Sequence, residues 1–178
     1  PRLYPSDDSE NLVICIPAPG GKKEFSALIS NITPDIHLNG DSQCFPLYHY
    51  ELDKNNFDLF TTNQNEVLTK KDGISDHIWN LTRTKYGSDI PKKDIFFYVY
   101  GFLQSPDYKL TFKHDLKKML PRIPLVDTVK DFWAFSKAGR KLADLHIDYE
   151  DVAPYSGVTV NGDNGNYHVT KMKFPKKG

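Results

Sequence analysis

The pattern of apolar and polar positions divides the chain into a β-rich first third, a helical middle and a β-rich end. Leu12–Ile16 and Phe25–Ile29 are short apolar runs rich in β-branched residues, which predicts two strands. The aromatic segment Gln43–Glu51 predicts a third strand, and Pro46 favours an edge position because proline cannot donate a ladder hydrogen bond. Residues 52–73 are mostly polar and rich in asparagine, so we interpret them as a loop or linker.

Start and stop signals predict the first two helices of the middle region. Ser75 can cap a helix that ends at Gly87, and Pro91 suits the first turn of a second helix over Lys92–Leu103. The second helix is apolar almost all round. This distribution predicts a helix buried at the centre of the domain.

Two further helices follow. Ser105 and Pro106 open a third helix that extends toward Leu120, and a fourth is predicted over about Thr128–Leu145. Apolar side chains at helical spacing form one face of each. These faces comprise Phe112, Leu116 and Leu120 in the third helix, and Phe132, Phe135, Ala138, Leu142 and Leu145 in the fourth.

The end of the chain returns to a β pattern. Gly157–Val160 and Tyr167–Phe174 flank the turn-rich stretch Asn161–Asn166, which predicts a hairpin. The predicted fold is therefore a single α+β domain over residues 1–178, with N-terminal β-strands, a central bundle of about four helices and a C-terminal β-hairpin.

Composition supports a folded domain and excludes several classes of protein. The chain has 178 residues, of which 13% are aromatic, and disordered chains are poor in such residues. Its apolar runs are too short for a transmembrane helix. Two cysteines, Cys15 and Cys44, cannot form a disulfide framework, which favours a reducing, cytoplasmic setting. Because the chain begins at Pro1 without a signal peptide, we expect it to be part of a longer protein.

The balance of 23 basic and 23 acidic residues conceals an uneven distribution of charge. Residues 109–141 contain nine lysines and arginines against three acidic residues. In the predicted third helix Lys109, Lys113 and Lys117 form a stripe of their own. A positive face of this kind can bind a polyanion, but solvated helix surfaces have the same composition. Both interpretations stay open at this point.

Catalytic motifs are missing from the sequence. Gly20–Lys23 is too short for a phosphate-binding loop, no Gly-x-Ser-x-Gly elbow occurs, and the six histidines are scattered without metal-ligand spacing. Asp107, Asp115 and Lys117 imitate a nuclease signature but fall within one predicted helix, where a cap and a solvated charge pair explain them. We therefore expect neither a catalytic residue nor a metal site.

Several long segments, in a fixed order, carry a more specific signal than any short motif. They are Asn11–Cys15, Phe25–Ile29, Gln43–Tyr48, Asp94–Tyr108, Leu120–Pro124, Asp131–Phe135 and Ala138–His146. With these segments the chain resembles the C-terminal specificity region of the single-polypeptide type ISP restriction-modification enzymes. The resemblance covers about Asn11 to Phe174.

The resemblance implies a division of labour within a bacterial parent enzyme. A nuclease, a helicase-like ATPase and an adenine N6-methyltransferase precede the target-recognition domain in such enzymes. This part would then read DNA without catalysis and without a cofactor of its own, whereas the parent would use S-adenosylmethionine, ATP and Mg²⁺. The implied partners are double-stranded DNA and the fused methyltransferase and helicase domains, with no membrane.

Candidate DNA contacts follow from the basic segments. Lysines neutralise phosphates whatever the sequence, whereas arginine can also read guanine through a bidentate contact, which makes Arg122 and Arg140 candidates for base reading. The predicted DNA-binding residues are Lys22, Lys23, Lys109, Lys113, Arg122, Lys137, Arg140 and Lys141. The alternative hypothesis is a protein-interaction or scaffold domain that docks onto the methyltransferase or helicase, with lysines that only solvate its surface.

Overall fold

The structure is a computed structural model that describes residues 2–6, 8–21, 24–52, 68–153, 155–157 and 171. In this part of the chain, strands precede helices, and the predicted α+β class is confirmed. The elements are β1 (Val13–Ile16), β2 (Leu28–Ser30), β3 (Gln43–Pro46), β4 (Tyr48–Leu52), β5 (Leu68–Asp72), α1 (Asp76–Tyr86), α2 (Lys92–Gln104), α3 (Pro106–Thr111) and α4 (Val129–Ile147). Most of the predicted C-terminal hairpin lies outside the described residues.

The strands form two antiparallel sheets. Three strands pair in the order β2-β1-β3, and β4 pairs with β5 in a second sheet. All four residues of β1 are buried, as expected of an apolar central strand. Because β3 lies at the edge of its sheet, Pro46 has the edge position that its missing N–H predicts.

The prediction of one strand over Gln43–Glu51 is wrong, because the chain changes sheet in the middle of this segment. Leu47 separates β3 from β4 and is buried. Its N–H donates to the Leu12 carbonyl over 2.7 Å, and its own carbonyl accepts from the Gly73 N–H over 2.7 Å. Both backbone groups of Leu47 are therefore satisfied at the break.

The Asn11 side chain joins the two sheets at this break. Its Oδ1 accepts from the N–H of Tyr48 over 3.0 Å, and its Nδ2 donates to the Tyr48 carbonyl over 2.8 Å. The same amide also bonds the Leu12 N–H and the Leu3 carbonyl. Asn11 is buried, so all four of these bonds form away from bulk water.

The interpretation of residues 52–73 as a loop or linker is wrong for its two ends, since Leu52 ends β4 and Leu68–Asp72 forms β5. The two strands pair from Leu52 opposite Leu68 to Tyr48 opposite Asp72. Four of the five residues of β5 are exposed, so the strand has no apolar face that could mark it in the sequence. Residues 53–67 lie outside the described part.

The predicted caps of the first helix are confirmed, and the second helix begins at Lys92 as predicted but ends at Gln104, one residue later than predicted, with Pro91 as its N-cap. Ser75 caps α1 by accepting the Ile78 N–H, and the Gly87 N–H closes the last turn on the Arg83 carbonyl. Gly87 has φ 120°, a backbone angle that favours glycine. α2 is buried almost all round, as its composition predicts, with Ile95, Phe96, Phe97, Tyr98, Tyr100, Gly101 and Leu103 inside.

The third helix is shorter than predicted. α3 ends at Thr111, and Phe112 leaves helical geometry at φ −103° and ψ 19°. Turns continue over residues 112–118. A straight helix would bury Phe112, Leu116 and Leu120 together, but only Leu116 reaches the core, and the other two are each more than 40% exposed.

The buried face of α4 differs from the predicted one. Phe132 is buried as expected, but the face continues through the small residues Ser136, Gly139 and Ala143. The predicted Ala138 and Leu145 are exposed. Phe135 and Leu142 are half-buried and pack against the core, so the predicted face is partly right, and the small residues complete it where α4 meets α2.

Small residues are required because the backbones of α2 and α4 touch. A methyl group added at Gly139 would overlap the Phe97 carbonyl oxygen and lie 2.7 Å from the Gly101 amide nitrogen. One added at Gly101 would overlap the Phe135 carbonyl oxygen. Beside this crossing, Ser136 Oγ donates to the Asp94 carbonyl over 2.9 Å.

α2 stands between two apolar clusters. One joins it to the three-stranded sheet, and its buried members include Ile14, Ile16, Ile29, Phe96, Phe97, Tyr100 and Leu103. The other contains Ile90, Ile95, Tyr98 and Phe132. In the second cluster the Phe132 ring stacks between Tyr86 and Tyr98, with centroids 4.9 and 5.0 Å apart.

Tyrosine hydroxyls connect the helices to the segment between α3 and α4. Tyr98 donates to the Pro124 carbonyl over 2.6 Å and Tyr108 to the Arg122 carbonyl over 3.0 Å, while Tyr86 donates to the Val126 carbonyl. The Tyr100 hydroxyl lies 2.6 Å from His146 Nδ1. Burial raises the pKa of Tyr86 and of Tyr100 to about 12.

Replacing Gly139 with alanine is expected to lower the free energy of unfolding by about 1–3 kcal/mol, the usual cost of overpacking. This loss should appear although alanine is the better helix former by about 1 kcal/mol. Urea denaturation followed by circular dichroism measures it. Asp144→Ala, at an exposed position of α4, is the control and should change stability by less than about 0.5 kcal/mol. A Gly139→Ala variant as stable as the parent would contradict the close helix contact.

Alkaline pH is expected to destabilise the domain. Well below pH 10 the hydroxyls of Tyr86 and Tyr100 are protonated in the folded and in the unfolded state. Between pH 10 and about 12 the unfolded chain releases these protons, whereas the half-buried Tyr86 and the buried Tyr100 of the folded domain retain them. The unfolded state then binds fewer protons, so stability falls as pH rises. Urea midpoints across this range should fall less steeply in Tyr100→Phe than in the parent. Tyr155→Phe, which alters an exposed tyrosine, should keep the parental slope.

Candidate nucleic-acid interface

Three of the basic residues of the third predicted helix converge on one groove. Lys109, Lys113 and Lys117 line it together with Pro106 and Leu110 of the same segment and Glu24 and Phe25, which precede β2. The groove has a volume of about 290 Å³. The shortened α3 and the turns after it therefore still present the lysine stripe on one surface.

Lys109 is the most constrained of these lysines. Its Nζ donates to Gln104 Oε1 over 2.9 Å, and Gln104 Nε2 donates in turn to the Ala27 carbonyl over 2.7 Å. Burial lowers the pKa of Lys109, because a partly desolvated ammonium lacks the hydration that stabilises its charge. No anionic partner offsets this cost among the described residues. A phosphate oxygen in the groove would supply one.

Lys113 and Lys117 lie at the solvent side of the groove. Lys113 Nζ is 3.3 Å from Glu24 Oε1, but both side chains are more than half exposed. An ion pair at such a site contributes little stability, so Lys113 can exchange Glu24 for another anion. The Lys117 carbonyl accepts from the Gly20 N–H over 2.7 Å, which fixes its backbone beside the groove.

Lys22 and Lys23 lie outside the described residues, so their predicted role stays a prediction. Described residues that precede and follow these two lysines contact the stripe formed by Lys109, Lys113 and Lys117. Gly20 bonds the backbone of Lys117, and Glu24 pairs with Lys113.

Arg122 lies beside a second groove, which is more apolar. Its side chain is exposed, and its backbone carbonyl is held by the Tyr108 hydroxyl. The groove has a volume of about 360 Å³, and its lining includes Tyr108, Phe112, Leu116, Met119, Leu120 and Arg122. Residues 106–120 therefore contribute to both grooves.

Arg140 is engaged in the fold. Its Nη2 lies 2.6 Å from Asp94 Oδ1, and its guanidinium stands 4.1 Å from the centroid of the Phe97 ring. Asp94 also receives the hydroxyl of Ser136. These contacts connect the first turn of α2 to α4, so binding DNA through the same guanidinium nitrogen would break an ion pair at the helix crossing.

The structure does not bring the remaining predicted residues to the groove. Lys137 and Lys141 are exposed on α4 and line neither of the two grooves. Among the predicted DNA-binding residues that the structure describes, Lys109 and Lys113 meet in one surface depression.

The family model of the type ISP C-terminal specificity domain matches residues 1–178. The chain belongs to this family. The match extends over all the segments that carried the resemblance in the sequence. No curated protein matches the chain.

Solved structures that resemble this specificity domain include three protein–DNA complexes. The ATP-dependent type ISP restriction-modification enzyme LlaBIII bound to DNA is 34% identical, with a TM-score of 0.77 over 99% of this chain and 11% of its own. A nuclease-deletion mutant of the type ISP enzyme LlaGI, in complex with a DNA substrate mimic, is 33% identical, with a TM-score of 0.70 over 99% and 12%. The DrdV–DNA complex is 32% identical, with a TM-score of 0.71 over 87% and 14%. The chain therefore spans 11–14% of the length of these neighbours.

The specificity domain has basic residues at a further open surface that sequence reasoning missed. Lys70 of β5 and Lys93 of α2 line a groove of about 490 Å³ with Asn11, Asn31 and Tyr48. Lys70 Nζ lies 3.7 Å from the centroid of the Tyr48 ring. Lys70 was not a candidate because residues 52–73 were interpreted as a loop or linker. Lys117 and Phe25 of the lysine groove were also not among the predicted DNA-binding residues. The stripe of lysines in the sequence was the signal that could have identified Lys117.

The described part of the specificity domain contains neither a metal-binding cluster nor a membrane-spanning helix. No three side chains of His, Cys, Asp or Glu there are grouped so that they could hold a metal ion. Asp107, from the nuclease-like signature, lies exposed in the first turn of α3. None of the described helices combines the length and the apolar character that crossing a membrane requires.

Proposed function

We propose that this specificity domain binds duplex DNA, with the groove of Lys109, Lys113 and Lys117 on the phosphate backbone. The convergence of these three lysines on one depression carries the proposal. Membership of the type ISP specificity family and the DNA-bound state of the neighbouring structures support it.

The groove offers phosphates two kinds of contact. Lys109 is partly desolvated and held by Gln104, so a phosphate there meets an ammonium group that already has a fixed position. Lys113 and Lys117 are exposed and add charge at the rim. Each neutralised phosphate releases counterions, which makes such binding salt-dependent and insensitive to sequence.

Base reading requires a second kind of residue. Arg122 is exposed and lies on the groove that shares residues 106–120 with the lysine groove. A guanidinium can bond O6 and N7 of guanine together. We assign base reading to Arg122 and a structural role to Arg140, whose guanidinium is paired with Asp94.

In the parent enzyme we propose that DNA recognition and catalysis belong to different domains. The specificity domain holds the duplex so that a fused methyltransferase can turn the target adenine out of the stack, because its N6 atom is not reachable while paired. Methyl transfer, ATP-driven translocation and cleavage belong to other domains of the parent, together with S-adenosylmethionine, ATP and Mg²⁺. The setting is the cytoplasm, and no membrane takes part.

A second candidate function, docking onto the methyltransferase or helicase domain, is favoured by one observation. Leu110, Phe112, Met119 and Leu120 are each more than 40% exposed, and residues 106–120 carry all of them. On this hypothesis the lysines only solvate the surface around an apolar contact. Weak binding to DNA with a flat salt dependence would support docking over DNA binding.

The lysine groove predicts a characteristic salt dependence. We expect Lys113→Ala to weaken binding to cognate and scrambled duplexes alike and to make the slope of log affinity against log salt shallower by about 0.9, the loss of one phosphate contact. Fluorescence anisotropy from about 50 to 200 mM salt covers the range in which several phosphate contacts are visible.

The matched control for this series is Lys85→Ala. Lys85 lies on α1, where it donates to the Leu125 carbonyl, and it does not line the groove. Its removal should leave the salt slope unchanged. Equal slopes for Lys113→Ala, Lys109→Ala and the parent protein would contradict a phosphate contact in this groove.

The two arginines should respond differently to alanine substitution. Arg122→Ala is expected to lose about 1–3 kcal/mol of discrimination at one base pair while non-specific affinity changes little. Arg140→Ala should instead lower the free energy of unfolding, because it leaves the Asp94 carboxylate without its partner. Competition binding against single-base variants of the target, with urea denaturation of both variants, separates the two effects. Loss of discrimination with Arg140→Ala and not with Arg122→Ala would reverse the assignment.

A further inference from the structure

The two cysteines of the chain face each other across neighbouring strands. Cys15 of β1 pairs directly with Cys44 of β3 in the antiparallel register. Their Sγ atoms are 3.8 Å apart, and both thiols are free. Because the chain contains no other cysteine, any disulfide within one molecule must join these two.

The backbone already has the spacing that a disulfide needs. Directly opposite residues in an antiparallel pair have Cα atoms about 4.5–5.5 Å apart, and disulfides span Cα separations of about 4.4–6.8 Å. The sulfur atoms have to approach to about 2.05 Å. Rotation of the two side chains can supply most of this movement without a change of strand register.

The two thiols differ in their surroundings. Cys15 is fully buried on the central strand, whereas Cys44 is partly exposed on the edge strand. Burial, with a smaller contribution from Cys44, raises the pKa of the Cys15 thiol to about 12. Among the described residues the nearby Tyr4 hydroxyl is buried without a hydrogen-bond partner, so it gives Cys15 no compensating contact. Cys44 is therefore the thiol that a reagent from solution meets first.

We propose that Cys15 and Cys44 form a reversible dithiol–disulfide site that reacts with small disulfides of the glutathione type. The site is separate from the DNA-binding proposal and does not depend on it. Cys44 is the entry residue, and Cys15 is the residue that completes the intramolecular bond.

The exchange proceeds in two balanced steps. The Cys44 thiolate attacks one sulfur of oxidised glutathione, the glutathione S–S bond breaks, and one glutathione thiolate leaves. The Cys15 sulfur then attacks the Cys44 sulfur, which breaks the mixed disulfide, and the departing second glutathione sulfur takes up the Cys15 proton. The two protein thiols lose two electrons and two protons, and one glutathione disulfide becomes two glutathione thiols.

The new bond would join the central and edge strands and close the loop between residues 15 and 44. This loop contains Glu24 and Phe25, which line the lysine groove. A crosslink constrains the unfolded chain, so the oxidised protein should unfold at a higher temperature than the reduced protein.

The test incubates the full chain in reduced and oxidised glutathione mixtures of increasing oxidising ratio, followed by intact-mass spectrometry after acid quenching. We expect a species lighter by two hydrogen atoms, monomeric on a non-reducing gel and reversed by dithiothreitol. A chain that stays a dithiol, stops at the glutathione adduct or links to a second chain would overturn the proposal.

Variants establish the order of the two steps. Cys15→Ser should accumulate one glutathione on Cys44, whereas Cys44→Ser should remain unmodified under the same conditions. Because a substitution in the buried β1 strand can impair folding, brief alkylation of the unaltered protein supplies an independent measurement. Peptide mapping should find the label on Cys44 before Cys15, and the reverse order would contradict the assignment of Cys44 as the entry residue.

Discussion

The direct contact between the backbones of α2 and α4 is the constraint on which the rest of the structure depends. Gly101 and Gly139 leave no room for a side chain between the helices, and the Asp94–Arg140 pair and Ser136 fix the same crossing. With α4 held on one side, α2 presents its other apolar face to the three-stranded sheet. The sheet and the second aromatic cluster therefore share one central helix.

The position of the lysine groove follows from that central helix. A single residue, Ser105, separates α3 from α2, so the orientation of α2 sets the start of the basic segment. Gln104 then links Lys109 to the backbone of Ala27, next to β2. The groove therefore combines residues that are far apart in the chain but are held to the same scaffold. The positive charge of the groove comes from the lysines of residues 109–117. Arg140 of α4 does not add to it, because its guanidinium pairs with Asp94 where α2 and α4 cross.

Sequence reasoning succeeded where local chemistry decides the structure. Caps at Ser75 and Gly87 and the all-round apolar composition of α2 were enough to place the first two helices. It failed where tertiary contacts decide: β5 has no apolar face, the chain changes sheet at Leu47, and α4 meets α2 through Gly139, which no apolar pattern marks. The same holds for the candidate site, since the lysine stripe was visible in the sequence but Phe25 and the engagement of Arg140 were not.

The amide of Asn11 offers a carbonyl oxygen and an NH2 group, so it contains the acceptor and the donor that a peptide unit presents and has a second N–H for the Leu3 carbonyl. By bonding both backbone groups of Tyr48, it acts as an extra rung at the point where one sheet gives way to the other. The two sheets are therefore mechanically continuous although they share no strand. A force applied to the paired strands β4 and β5 would pass into β1 through the Asn11 side chain and through the backbone of Leu47, whose N–H is bonded to the Leu12 carbonyl.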